Sequence, residues 1–197
     1  FGADSGKLVF VAGAQSGNAW GADRLLESFD DSSLNPSGVQ PNALAIAPYF
    51  GGNVPQDIAK ENKAGSITVN EILDRAELDM RNSAASGIRK SKQIAVQHNV
   101  DLIAYEAGQH ITARNGNQDN QELVNKLIAA NKDPRMKQIY KDYIDLWFDN
   151  GGGLIVFFNS VYSPSKWGAW GHLEYQDQPA SEAPKYQAIM EKIDEFK

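Results

Sequence analysis

Glu106 closes the apolar run Asp101-Leu-Ile-Ala-Tyr-Glu106 and is followed by Ala107-Gly-Gln-His110. A carboxylate therefore sits where a buried strand gives way to a polar loop, the position at which α/β barrels keep their chemistry. A carboxylate there can act as a nucleophile or a general acid/base, or it can form a structural ion pair. Gln109 and His110 add an amide and an imidazole able to orient that carboxylate or to hold hydroxyl groups. A loop histidine serves equally well as a structural hydrogen-bonder.

A second group follows the last apolar run, in Pro164-Ser-Lys-Trp-Gly-Ala-Trp-Gly171. Trp167 and Trp170 lie in a glycine-interrupted loop, where a helix core does not explain them. Flat indoles with a polar N–H suit the face of a pyranose ring, and the plain alternative is that one of them plugs the end of a barrel. Trp147 differs, because helical spacing with Tyr140, Tyr143 and Ile144 predicts a core position.

Several chemistries lack their residues. The three histidines, His98, His110 and His172, show no metal-ligand spacing, so no metal is expected. Gly13, Gly17 and Gly21 match neither a dinucleotide fingerprint nor a phosphate loop, so no cofactor is expected. A Gly-x-Ser-x-Gly elbow is missing, which removes the usual serine-hydrolase motif. The net charge of −6, from 19 basic and 25 acidic side chains without a basic cluster, argues against nucleic acid as partner. The longest apolar run, Leu154 to Phe158, is far short of the roughly 18 residues of a membrane span, so no membrane is expected either. Cysteine is absent, which removes disulfides and thiol chemistry together and leaves the redox compartment open.

The elements that must position these groups alternate. Besides Leu102 to Tyr105, three apolar runs read as buried strands: Leu8-Val-Phe-Val-Ala12, within a stretch running from Lys7 to Gly13, Ala43-Leu-Ala-Ile-Ala47, and Gly153-Leu-Ile-Val-Phe-Phe158. A short amphipathic helix is predicted over 22–29, with Leu25, Leu26 and Phe29 on one side. A long one is predicted over 68–97, with Ser66 or Thr68 as N-cap, Glu71 three residues beyond Thr68, and a bend at Gly87. Helices over 118–132 and 134–149 are separated at Asp133-Pro134, and Gly151-Gly-Gly153 ends the second. This pattern predicts an α/β fold, a parallel sheet with crossover helices, in a single domain of 197 residues. Right-handed crossovers would gather the post-strand loops on one edge, bringing together Gln15, Asn18, Trp20, Tyr49, Phe50, Glu106, Gln109, His110, Asn159, Tyr162, Trp167 and Trp170.

Taken together, Leu102-Ile-Ala-Tyr-Glu-Ala-Gly-Gln-His110, the helix from Asp133 to Trp147, and Gly151 to Asn159 through Trp167-Gly-Ala-Trp170 resemble the C-terminal part of clan-A-like glycoside hydrolase (β/α)8 barrels. The likeness is closest to cellulase-like or cellulose-binding bacterial proteins of that kind. The resemblance implies that the four apolar runs are strands 5–8 of such a barrel, that Glu106 is the nucleophile, and that Trp20, Tyr49, Gln109, His110, Asn159, Trp167 and Trp170 hold a polysaccharide or oligosaccharide. It also implies an extracellular or periplasmic location. The family's second carboxylate, the acid/base, follows an Asn at the end of the fourth strand, which would precede Phe1. Asn70-Glu71 is the only Asn-Glu pair here, and it opens a helix.

The chain is thus expected to be a (β/α)4 half-barrel-like piece of a longer barrel, inactive or nearly so by itself because retaining hydrolysis needs two carboxylates about 5–5.5 Å apart. Its exposed edges and inner face call for a cover, either a missing N-terminal half or a second copy in a homodimer. A non-catalytic carbohydrate-binding or scaffold module that self-associates is the alternative from another class. A doubly wound small-molecule binder is a third, weakened by the missing phosphate loop.

Overall fold

The computed structural model describes residue 6 and residues 8–196. Phe1 and Lys7, named above, lie outside the described residues. The chain is mixed α/β. It forms two compact units, one of Phe1–Pro48, Ala85–Ala107 and Trp147–Val156, the other of Tyr49–Ala84, Gly108–Leu146 and Phe157–Lys197. The chain runs in the order β1 (Val11–Gly13), α1 (Ala19–Glu27), β2 (Ala43–Ile46), α2 (Val54–Lys60), α3 (Val69–Asp79), a π-helical segment (Met80–Ala84), α4 (Ala85–Gln97), β3 (Asp101–Ala104), α5 (Gln121–Lys132), α6 (Arg135–Asp149) and α7 (Pro184–Glu195).

The first unit holds the sheet, β1-β2-β3, parallel throughout. All four residues of β2 are buried, as its continuous apolar run and central place require. β1 is shorter than the expected Leu8 to Ala12. The Asn42 side chain accepts the Phe10 N–H at 2.8 Å and takes the place of a ladder bond. Three backbone bonds tie the expected fourth strand to β3, Gly153 N–H to Leu102 O, Ala104 N–H to Leu154 O and Val156 N–H to Ala104 O, at 2.8, 2.8 and 3.0 Å. It forms a single parallel bridge, Ala104 with Ile155, rather than a strand.

α1 packs on β1 and α4 on β2 and β3, while α1 and α4 touch each other. They cover the sheet face that carries the buried Ala12, Leu44, Leu102 and Ala104. α1 begins one turn earlier than predicted because the Asn18 side chain accepts the Gly21 N–H at 2.9 Å. Its Leu26 is buried, and Phe29 meets Phe10 edge-on at 5.6 Å. Trp147 is fully buried as predicted, its indole N–H donating to the Gly153 carbonyl at 2.8 Å.

The second unit holds α2, α3, the π segment, α5, most of α6 and α7. Thr68 caps α3 in a full capping box with Glu71, as the spacing predicts. The predicted bend at Gly87 is not the interruption. Gly87 lies inside α4, and the break in the 68–97 helix is the π turn at Met80–Ala84. Asp133 is extended before Pro134 and separates α5 from α6 where expected. Arg135 joins α6 to α3 through Asp74 at 2.7 Å and Glu77 at 3.1 Å. α2, for which no helix is predicted above, carries Pro55 in its first turn and buries Val54, Pro55, Gln56 and Ile58.

Candidate functional site

In the second unit a strand-like extension sets the geometry. The Phe50 N–H donates to the Gly108 carbonyl at 3.1 Å and the His110 N–H to the Phe50 carbonyl at 2.7 Å. Phe50 is fully buried against Tyr143 and Tyr140, with ring centroids 5.0 and 6.0 Å away, and so anchors the extension on α6. Gly108 has φ +130°, and a Cβ there would meet the Tyr140 hydroxyl at 3.0 Å, so glycine is required on both counts. The Tyr140 hydroxyl accepts the Gln109 N–H at 3.2 Å. Burial holds the phenols of Tyr140 and Tyr143 far above the ordinary tyrosine range.

On this support the structure gathers four of the sequence-predicted residues. His110 lies 5.7 Å from Tyr49 and 5.0 Å from Trp170, ring centroid to ring centroid, and Tyr49 lies 6.1 Å from Trp170, all edge-on. Phe158 joins the group 6.0 Å from Trp170. Asn159 donates its N–H to the Trp170 carbonyl at 3.3 Å and accepts the His172 N–H at 3.0 Å. The Trp170 indole is oriented by its own N–H, which donates to the Trp167 carbonyl at 2.8 Å. Tyr49, His110, Asn159 and Trp170 are each partly exposed, although His110 Nδ1 and Asn159 Oδ1 are themselves buried and make no hydrogen bond. The His110 imidazole titrates below its ordinary range, chiefly because burial disfavours the cation, with Arg114 adding to the effect, and it is neutral at pH 7. A neutral imidazole both donates and accepts hydrogen bonds.

Gln109 does not join this surface. It is 1% exposed, its amide N–H donates to the Ala169 carbonyl at 3.0 Å and its amide oxygen accepts the Ile111 N–H at 2.6 Å. Both ends are taken by the protein, so its assignment to a ligand is corrected: it clamps the tryptophan loop to the strand extension. Trp167 stands at the tip of that loop, 60% exposed, on a turn closed by Ser165 and Gly168, with the Lys166 ammonium 4.9 Å over its ring. Gly168 also has φ +130°, and a Cβ there would meet the Trp170 indole at 2.3 Å.

In the first unit, the Tyr105 N–H donates to the Ile46 carbonyl at 3.1 Å, and Glu106 is the next residue, half-buried just past the end of β3 as the sequence predicts. Trp20 lies on the first turn of α1 and is 72% exposed. Among the described residues no group of three or more His, Asp or Glu side chains is placed to hold a metal ion. No helix of the described chain is long and apolar enough to cross a membrane.

The sequence reading missed a buried polar group in the second unit. Lys185, 4% exposed, donates to the Ala169 carbonyl at 2.6 Å and reaches the Asn131 side-chain oxygen at 3.5 Å. Burial pulls its ammonium down to about 7. His172, 8% exposed, is pulled down to about 3 by burial and secondarily by the Lys185 charge, so it stays neutral. Lys185 thus holds the same Ala169 carbonyl that Gln109 grips. No periodicity marked them, because Lys185 looks like a solvated residue in the first turn of α7. Compared with models of known protein families, with curated proteins and with solved structures, the chain gives no match in any of the three.

Proposed function

We propose that this chain handles saccharide as a module of the glycoside-hydrolase-barrel type, corresponding to strands 5–8 of a (β/α)8 barrel and acting on a polysaccharide. The observation that carries the reading is the edge-on group of Tyr49, His110, Trp170 and Phe158 in the second unit. Aromatic faces bury the C–H surface of a sugar ring, while the imidazole and phenol beside them bond its hydroxyls. Glu106 is the nucleophile in this reading. Its carboxylate attacks the anomeric carbon as the leaving oxygen takes a proton from a second carboxylate, and water later releases the glycosyl group. That second carboxylate is expected on strands outside this sequence, as is an extracellular or periplasmic setting for the whole protein.

One observation favours a non-catalytic, glycan-binding role for the chain by itself. Glu71, in the only Asn-Glu pair, is committed to the N-terminus of α3, where its carboxylate accepts the Thr68 N–H and hydroxyl, both at 2.8 Å. It is held below the usual carboxylate range by those two bonds, so it is not a proton donor at neutral pH.

The test pairs binding with turnover. Titration with cello-, xylo- and mannooligosaccharides should show binding that Trp170→Ala abolishes, and sugar release in a complete barrel should vanish with Glu106→Gln. Binding unchanged in Trp170→Ala would remove the aromatic site. Normal turnover by Glu106→Gln would remove the nucleophile assignment and leave the binding role standing.

A further inference from the structure

Lys185 is the second residue of α7, whose N-cap is Ala183 and whose first turn holds no acidic side chain. A methyl group cannot accept the first-turn N–H groups, so the positive end of that helix is uncompensated and disfavours a cation beside it. The Lys185 side chain is 4% exposed and ends on two uncharged acceptors, the Ala169 carbonyl at 2.6 Å and the Asn131 side-chain oxygen at 3.5 Å. An ammonium carries three N–H donors and a neutral amine two. Two acceptors therefore match the neutral amine and leave its lone pair free.

The amine lies on the wall of a small cavity of about 20 Å³, whose other buried walls are Asn131, Ala169, Gly171, His172 and Ala183. Lys132 and Glu182 on its rim are exposed, so it opens to solvent. A single water needs roughly 10–15 Å³ on that scale, which leaves room for a molecule of two or three atoms and too little for a substituted aldehyde or ketone. A second group in the wall is unspent, because His172 is 8% exposed and its Nε2 is buried without a hydrogen-bond partner. The charged groups in the wall are Glu174, paired with Lys132 at 2.8 Å, and Glu182. Burial outweighs the Glu174 charge and holds the ammonium down at about 7, so the neutral amine is the major form at pH 7.5.

We propose that Lys185 is a modification site for carbon dioxide, at which the amine becomes a carbamate. The Nζ lone pair attacks the carbon of CO2 and forms an N–C bond, one C=O electron pair moves onto oxygen, and the nitrogen loses a proton to bulk water. The product suits its place. An anion at the first turn of α7 is favoured where a cation is not, and the His172 Nε2, as the N–H tautomer, is a donor for a carbamate oxygen. The remaining N–H of the modified nitrogen keeps the Ala169 carbonyl, which Gln109 also holds at 3.0 Å. The site is independent of the saccharide reading, since it uses neither Glu106 nor the aromatic group.

The test uses the wild-type chain. It is equilibrated with carbon-13-labelled bicarbonate near neutral pH, carbamates are trapped as alkyl esters with a trialkyloxonium salt, and the labelled lysines are located by peptide mass spectrometry. An ordinary lysine, near 10.4, is only about one part in a thousand neutral at about pH 7.5. Lys185 should therefore carry label at least about tenfold above any other lysine. The same labelling in guanidinium chloride, where the cavity and the burial are lost, should bring Lys185 down to the level of the rest. Lys185 labelled no more than the other lysines in the folded chain, or label at Lys185 that persists undiminished on unfolding, would overturn the proposal.

Discussion

The hydroxyl of Tyr140, in the middle of α6, accepts the backbone N–H of Gln109 at 3.2 Å. One bond thus ties the helix to the strand extension that presents His110. Tyr140→Phe keeps the ring and removes the acceptor, leaving a buried N–H unpaired at a cost of about 1–3 kcal/mol. The expected result is a thermal midpoint lower by several degrees and weaker oligosaccharide binding from a looser His110. Differential scanning calorimetry with parallel titration checks both.

Lys185 should make stability rise with pH. Its folded value is about 7, while the unfolded chain titrates near the ordinary 10.5, so between those values the unfolded state binds more protons. The destabilisation is complete below pH 7, fades as pH rises towards 10.5, and reaches at most about 4–5 kcal/mol. His172 acts in the same direction between about 3 and 6.5. Urea unfolding from pH 6 to 10 should show the rise, and Lys185→Met should flatten it. An unchanged slope in Lys185→Met would place the effect elsewhere.

The capping box of α3 should be separable from the site. Thr68→Ala removes the hydroxyl that accepts the Glu71 N–H at 3.2 Å, and about 1 kcal/mol of stability should go with it. Saccharide binding should be unaffected, as measured by the same titration.

Within the aromatic group, the two tryptophans should differ. Trp170 is half-buried among Tyr49, His110 and Phe158, whereas Trp167 is exposed at a loop tip. Trp170→Ala should lower oligosaccharide affinity at least tenfold, equivalent to about 1.4 kcal/mol, and Trp167→Ala by a smaller factor. Fluorescence titration of the two variants distinguishes them, and equal losses would mean that both indoles stack on the ligand.

The parts legible in the sequence are those governed by neighbours along the chain. Thr68 and Glu71 start α3 because a capping box closes over three residues, and Asp133-Pro134 ends α5 because proline excludes the helical conformation before it. Trp147 was legible because its apolar neighbours recur at helical spacing, and Glu106 because an apolar run ended at a charge. α2 was missed although Pro55 marked its first turn, since seven residues after Gly51-Gly52 read equally as loop.

Tertiary contact decided the rest. Gln109 and His110 are adjacent in sequence, yet one is locked on Ala169 and Ile111 while the other faces outward with Trp170, a division set by residues about 60 positions away. Lys185 and Lys192 face inward on α7 while Met190, Ile193 and Phe196 are exposed, the reverse of what hydropathy dictates. Lys185 tolerates burial because the Ala169 carbonyl accepts a hydrogen bond from its Nζ, and Lys192 because it meets Asp145 and Glu195. Local sequence sets where elements begin and end, since caps and proline act within one turn. Which polar groups are spent on the fold and which remain for a ligand depends on partners that only the folded chain brings within hydrogen-bonding distance.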